Sequence, residues 1–325
     1  MTGAGRCVVA LLLVMAAMAV RAGAVDQGTV FRTSSTTIPV YATVLAPDGH
    51  LVTDLPRSAF RVLDNGRLQP LTLFEAGIQP ITIIVMLDTS GSMLGNIGLL
   101  RRAAVQMFTR LLPADKARLG SFGNRIVISS TFTNDVDELI RTLWLDLEPG
   151  GPTPLWGAVN AAMSAMARVD GRRVVLVLSD GKNTGLRLDA GRPTGPSLKD
   201  VVMRAQIEDF MVYAIGMRSQ ASSGGGRTRG GFGGAGFGGR PGVGSDEPDP
   251  GLRELAAESG GGYLELKDAQ NLGPAFAEVA DELHRQYLLG YVAPEADGTL
   301  HQIEVKVDDQ HLRVRARRTY QAPKK

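Results

Sequence analysis

The chain's 325 residues suffice for one large domain or for one domain with a smaller companion, and an apolar content of 44% is ample for a buried core. Its 35 basic and 33 acidic residues give a formal charge of +2, and loss of Arg6 and Arg21 with a leader segment would balance the charges. Such neutrality speaks against nucleic acid as a partner, because phosphate recognition needs a concentrated basic surface.

Residues 1–24 read as a secretory signal peptide. Arg6 supplies the charged start, Val8 to Val20 is apolar, and Ala22-Gly23-Ala24 has the small-x-small form of a cleavage site. The apolar stretch is too short for a comfortable membrane span. Cleavage after Ala24 predicts a periplasmic or secreted protein with no integral membrane segment. The single cysteine, Cys7, lies inside this leader, so the mature chain is expected to have no thiol and no disulfide.

Residues 25–78 predict an N-terminal β module. Ile38, Val40, Ala42 and Val44 alternate with Pro39, Tyr41 and Thr43, the period of a half-buried strand. Asp64-Asn65-Gly66 predicts a hairpin between Phe60-Arg61-Val62-Leu63 and Leu71-Thr72-Leu73-Phe74.

Residues 79–286 alternate between strand and helix patterns, which predicts an α/β fold with a doubly wound, mostly parallel sheet. Ile81 to Leu87 and Val174 to Leu178 are apolar without alternation, as strands buried on both faces are. Short strands are expected at Leu119–Phe122 and Ile126–Ile128, and a helix at Asp135–Leu145. Thr153 is placed as an N-cap with Pro154 at the first helical position. A helix near Leu198–Phe210 and a strand at Met211–Ile215 follow. Residues 219–250 are rich in glycine and too poor in apolar side chains to offset chain entropy, so they predict a disordered insert with no role in binding RNA. A short helix at Leu252–Glu258 and a strand around Tyr263–Leu266 lead to a final helix. Its expected apolar face holds Leu272, Phe276, Val279, Ala280, Leu283 and Tyr287.

Residues 287–325 return to strand grammar at Leu288–Val292, Gln302–Val307 and Leu312–Arg317. A lone tail hairpin is marginal. These strands are therefore expected to join residues 25–78 in a small discontinuous β module. Arg313, Arg315 and Arg317 read as a solvated strand face. The four histidines, His50, His284, His301 and His311, read as surface residues rather than catalysts.

Chemistry concentrates at two strand ends and one loop. The first buried run ends in Asp88-Thr89-Ser90-Gly91-Ser92-Met93 and the second in Ser179-Asp180-Gly181. Thr153 stands in Gly150-Gly151-Pro152-Thr153-Pro154. Open α/β sheets bind ligands beyond the carboxyl ends of their strands. Asp88, Ser90, Ser92, Thr153 and Asp180 would gather there as hard oxygen donors, suited to Mg²⁺, Mn²⁺ or Ca²⁺.

This pattern, D-x-S-x-S followed by a distant Thr and a distant Asp, resembles the metal-ion-dependent adhesion site of von Willebrand factor A domains. The flanks strengthen the likeness. Val62-Leu63-Asp64-Asn65-Gly66, Gly260-Gly261-Gly262-Tyr263 and Gln286-Tyr287-Leu288-Leu289-Gly290-Tyr291 resemble an exported A-domain family abundant in Acidobacteria. One departure is Ser121-Phe122-Gly123, where many A domains carry Phe-Ser. The resemblance implies a protein-binding module in which a divalent cation, Mg²⁺ foremost, coordinates an Asp or Glu of a partner protein.

Two rivals stand beside it. A metal-dependent phosphohydrolase would use Asp88 and Asp180 with Lys182 near the phosphate, yet there is no D-x-D after the first strand and no glycine-rich phosphate cradle. A metal-free structural scaffold is the other, since a fold alone does not fix a function. No G-x-S-x-G elbow supports a serine hydrolase.

Overall fold

The computed structural model describes residues 36–187, 193–218 and 247–324. The predicted signal segment and residues 219–246 of the predicted insert lie outside them. Strand β1 (Thr37–Leu45) precedes β2 (Phe60–Asp64), β3 (Arg67–Gln69) and β4 (Leu71–Glu75). Then come β5 (Thr82–Asp88), α1 (Ile97–Phe108), β6 (Lys116–Phe122), β7 (Ile126–Ile128), α2 (Val136–Leu145), α3 (Leu155–Ala165) and β8 (Arg173–Ser179). A small hairpin, β9 (Leu186–Arg187) with β10 (Pro193–Thr194), leads to α4 (Leu198–Ile207) and β11 (Phe210–Met217). Next are α5 (Gly251–Ser259), β12 (Tyr263–Leu266) and α6 (Leu272–His284), followed by β13 (Tyr287–Val292), β14 (Leu300–Val307), β15 (Arg313–Ala316) and β16 (Thr319–Gln321).

Six strands form the central sheet in the order β12-β11-β8-β5-β6-β7, parallel except for β7. The apolar runs in β5 and β8 reflect cover on both sides. Ile83, Val85 and Leu87 pack with α1, α2 and α6 on one face. Ile84 and Met86 pack with α3, α4 and α5 on the other. Each such side chain contributes about 1.5–3 kcal/mol when fully buried. The fold is the doubly wound, mostly parallel α/β arrangement that the alternating pattern predicts.

Beside it stand two antiparallel four-stranded sheets, ordered β15-β1-β13-β4 and β16-β14-β2-β3. They share one core, with Val40 and Ala42 of β1, Phe60 and Val62 of β2, Tyr287 and Leu289 of β13, and Ile303 and Tyr320 from the tail. N- and C-terminal segments thus interleave, β1 lying between β13 and β15.

Several local expectations change. Asn65-Gly66 does turn β2 back, with both residues at positive φ, but the returning strand is β3 and not Leu71–Phe74. Pro70 lacks the N–H that would continue the ladder, and β4 crosses to pair with β13 instead. Tyr287 is not on the face of α6, which ends at His284. It starts β13 and packs on Phe60 and Phe74. Phe210 begins β11 rather than ending α4.

The arginine row is only partly solvated. Arg313 is exposed, whereas Arg315 reaches the buried Glu282 and Arg317 bonds Asp209 at 2.5 Å. Glu282 also accepts from Tyr213 and, at 2.9 Å, from Thr43. Gln286 joins Thr43, Tyr213 and Arg172 in the same buried network. This polar seam stitches β1 and β15 to α6 and β11. Two histidines are likewise not surface residues. His284 is buried against Asp115 at 2.7 Å, and His301 against Asp64 at 2.7 Å. Each finds its carboxylate across more than 150 residues of chain, a pairing that local pattern does not reveal.

Candidate metal centre

Strands β5 and β8 are neighbours in register, Leu87 opposite Leu178, so Asp88 and Ser179 emerge together at the carboxyl end of the sheet. Ser179 donates to Oδ2 of Asp88 at 2.5 Å, and the Ser90 N–H donates to Oδ1 at 2.8 Å. A 3-10 turn at Gly91–Asn96 then lifts Ser92 over the rim. Its hydroxyl lies 3.2 Å from that of Ser90 and donates to Oδ1 of Asp180 at 2.7 Å.

The loop that carries Thr153 is threaded through this end. Gly150 N–H donates to Thr89 O at 2.6 Å, and Gly91 N–H to Gly151 O at 3.1 Å. Asn124 N–H meets Gly150 O at 3.0 Å. The approach is close enough that only glycine fits at Gly123, where a Cβ would stand 2.5 Å from Gly150 O. Gly151, at φ +92°, tolerates no Cβ either, since Asn124 fills the space.

Thr153 does not cap α3. The cap position belongs to Pro154, and no side chain bonds the helix there. Thr184 instead holds the Thr153 backbone from both sides, accepting its N–H at 2.8 Å on Oγ1 and donating its own N–H to Thr153 O at 2.9 Å. The Thr153 hydroxyl is thereby set beside Gly181, whose hypothetical Cβ would lie 3.2 Å from it.

All five sequence-predicted residues therefore meet at one rim. Asp88, Ser90, Thr153 and Asp180 are buried. Burial pushes the Asp88 carboxyl up to about 6, against its bonds from Ser179 and Ser90 and with help from the Asp180 charge. Burial raises Asp180 too, opposed by Ser92. Oδ2 of Asp180 is buried with no hydrogen-bond partner among the described residues. Two desolvated carboxylates, one of them with an orphaned oxygen, and three hydroxyls are a donor set that a hard divalent cation fits.

Residues 83–182 match the family profile of the von Willebrand factor type A domain. The chain carries a von Willebrand factor A domain. No curated protein matches the sequence. Among solved structures, the A domain is similar to an aerotolerance-related membrane protein of Bacteroides fragilis. That match has 16% identity over 62% of this chain and 99% of that one, with a TM-score of 0.43. A von Willebrand factor type A protein from Catenulispora acidiphila shares 12% identity over 90% and 75% of the two chains, with a TM-score of 0.46. Proximal thread matrix protein 1 of the mussel byssus, in a form with a zinc-occupied MIDAS motif, shares 15% identity over 69% and 50%, with a TM-score of 0.49.

Sequence reasoning missed the residues that hold the A-domain rim in shape. Ser179 and Thr184 position Asp88 and Thr153. Asp249, placed by composition inside the glycine-rich insert, accepts from Asn183 N–H at 3.1 Å and from Gly251 N–H at 2.9 Å. The Asp249-Pro250 pair ahead of an apolar helical pattern was the available signal for an ordered helix start. Gly123 was visible only as a departure from the family pattern, and the loop crossing explains it.

Proposed function

We propose that the protein is an exported protein-binding module whose A-domain rim holds a divalent cation, Mg²⁺ foremost, through Asp88, Ser90, Ser92, Thr153 and Asp180. Residues 79–286 form the binding domain in this reading, and the strands from 25–78 and 287–325 form the module that carries it. The single observation behind the reading is the unpaired, buried Oδ2 of Asp180 beside the Asp88 carboxylate. An orphaned carboxylate oxygen costs about 1–3 kcal/mol or more, and a cation removes that cost.

When bound, the ion supplies a positive centre with a position open to an Asp or Glu of a partner protein. The chain's own residues do the rest. Ser179 and Ser90 N–H aim Asp88, Ser92 ties the D-x-S-x-S turn to Asp180, and Thr184 fixes Thr153. Exposed Leu94, on the 3-10 turn beside the rim, adds an apolar contact for the partner.

The test is capture from envelope extract on immobilised protein, with Mg²⁺ and with EDTA, alongside calorimetry with Mg²⁺ and Mn²⁺. Mg²⁺-dependent capture that Asp88→Asn abolishes supports the reading. Heat of Mg²⁺ binding indistinguishable between wild type and Asp88→Asn overturns it. Hydrolysis of a phosphate ester that depends on both Asp88 and Asp180 would favour the phosphohydrolase instead.

A further inference from the structure

The loop between β13 and β14 brings Glu295 and Asp297 to His301 at the start of β14, with one ligand atom of each within 4.8 Å of the others. We propose that these three side chains hold a divalent transition-metal ion, Zn²⁺ being the ion they suit best. This site shares no residue with the A-domain rim and differs from it in kind. One imidazole nitrogen with two carboxylates is a donor set for Zn²⁺, whereas the rim offers oxygen alone.

His301 is primed as a ligand by the protein behind it. The ring is 2% exposed, and Nδ1 lies 2.7 Å from Oδ1 of Asp64, itself fully buried. Oδ2 of Asp64 accepts from Tyr291 at 2.9 Å and from Tyr320 at 2.7 Å. With Asp64 ionised, its Oδ1 can only accept, which assigns the proton of this pair to Nδ1. The Nε2 lone pair is then presented to the loop. A histidine whose far nitrogen donates to a carboxylate is the usual arrangement behind a metal.

The spacing on the loop side fits an ion better than a proton. Nε2 stands 3.3 and 3.4 Å from the two oxygens of Asp297. A charge-assisted hydrogen bond closes to about 2.7–2.9 Å, as Nδ1 does on Asp64. Two ligands of a tetrahedral ion at about 2.0–2.1 Å lie roughly 3.3–3.4 Å apart. Asp297 is held for this purpose, since Thr299 donates its N–H and its hydroxyl to the two carboxylate oxygens at 2.9 Å each. Glu295 is exposed and pairs with the equally exposed Arg67 at 3.7 Å, a solvent-screened contact that is weak enough to give up. By leaving Arg67 it would close the third side, with the fourth position left to water.

The ion would act as a clip. His301 lies on β14, Asp64 on β2, Tyr320 on β16 and Tyr291 on β13, so one centre would tie the tail to the early strands.

Zn²⁺ titration of the full chain by calorimetry tests this, with Asp88→Asn as the background that weakens the rim. Asp297→Asn and Glu295→Gln are made in that background, and the His301 ring is followed by ¹⁵N NMR. The expected result is one Zn²⁺ site in the Asp88→Asn protein, at least about tenfold weaker in either further variant, with His301 Nε2 shifting on Zn²⁺ addition. Glu295→Gln alters an exposed side chain and leaves the fold intact, so its result stands even if Asp297→Asn disturbs the turn. Zn²⁺ binding unchanged by both variants overturns the proposal. So does a His301 resonance that stays put at saturating Zn²⁺, or an Asp88→Asn protein that binds none, which would leave His301 an imidazolium between Asp64 and Asp297.

Discussion

The hydroxyl of Ser92 donates to Oδ1 of Asp180 at 2.7 Å across 88 residues of sequence, while Oδ2 of that carboxylate is buried and unpaired. The turn after β5 and the end of β8 are thus joined by one bond that satisfies half of a carboxylate.

Replacing Asp88 by Asn removes a charge but keeps the shape. Ser179 can accept from the new amide while turning its own hydrogen toward Gly181 O, 3.4 Å away. In EDTA at neutral pH the variant is expected to melt at or above the wild type, because like charges at the rim are relieved. Mg²⁺ stabilises the wild type by mass action and leaves the variant nearly unmoved. Paired melting curves in EDTA and in millimolar Mg²⁺ measure both effects.

The same group gives the metal-free protein a pH signature. Its folded-state carboxyl, raised to about 6, binds protons more tightly than the unfolded carboxyl at 3.8. Stability from this group is therefore full below about pH 4 and is lost as pH rises through 6, by about 3 kcal/mol in all. The difference in melting temperature between wild type and Asp88→Asn in EDTA should grow in the variant's favour over that window and then level off. Saturating Mg²⁺ reverses the sign, since the ion needs the ionised carboxylate. A difference flat from pH 4 to 7 would contradict the burial argument.

Ser92→Ala acts differently. It removes the Ser92 hydroxyl that donates to Asp180 Oδ1, and with it a ligand but no charge. Metal-free stability should fall by about 1–2 kcal/mol, and Mg²⁺ affinity should weaken. Urea melts without metal, followed by Mg²⁺ titration, separate the two losses.

Gly123→Ala tests the loop crossing. The new methyl has to push Gly150 O from 2.5 Å, so the 150–153 segment shifts. Destabilisation of about 1–3 kcal/mol is expected, with weaker Mg²⁺ binding because Thr153 moves with its loop. A variant with unchanged Mg²⁺ calorimetry would remove Thr153 from the site.

Truncation after Gln286 removes β13, β14, β15 and β16. β1 then loses both of its neighbours, β4 its only one and β2 one of two. The shortened chain should aggregate or be cut between residues 36 and 75 while the parallel sheet survives. Limited proteolysis with mass spectrometry reads this directly.

What could be read in advance follows the range of the forces. The runs ending at Asp88 and Asp180 declare themselves because burial on both faces leaves them almost wholly apolar, and the rim follows from where such strands end. Pro70 was readable but its consequence was not, since the destination of β4 depends on β13, more than two hundred residues later. The buried roles of His301, Arg315 and Glu282 were hidden for the same reason. Each is a polar residue that looks solvated until a distant partner desolvates it. Thr153 lies at the rim without capping the helix as its sequence context suggests, because Thr184 binds its backbone on both sides.

Tyr320 bonds Asp64 across 256 residues, and that interval is also a length of time. A chain growing at 5–20 residues per second needs about 13–50 s to make the second after the first. For most of that wait β2 lacks β14, and β1 lacks β13 and β15. The early segment must stay uncommitted, available to holding factors and to proteases, whereas the parallel sheet has all its strands once Leu266 is made and can close before β13 appears. Assembly therefore runs from the middle outward, and the first strands made are among the last to find their neighbours.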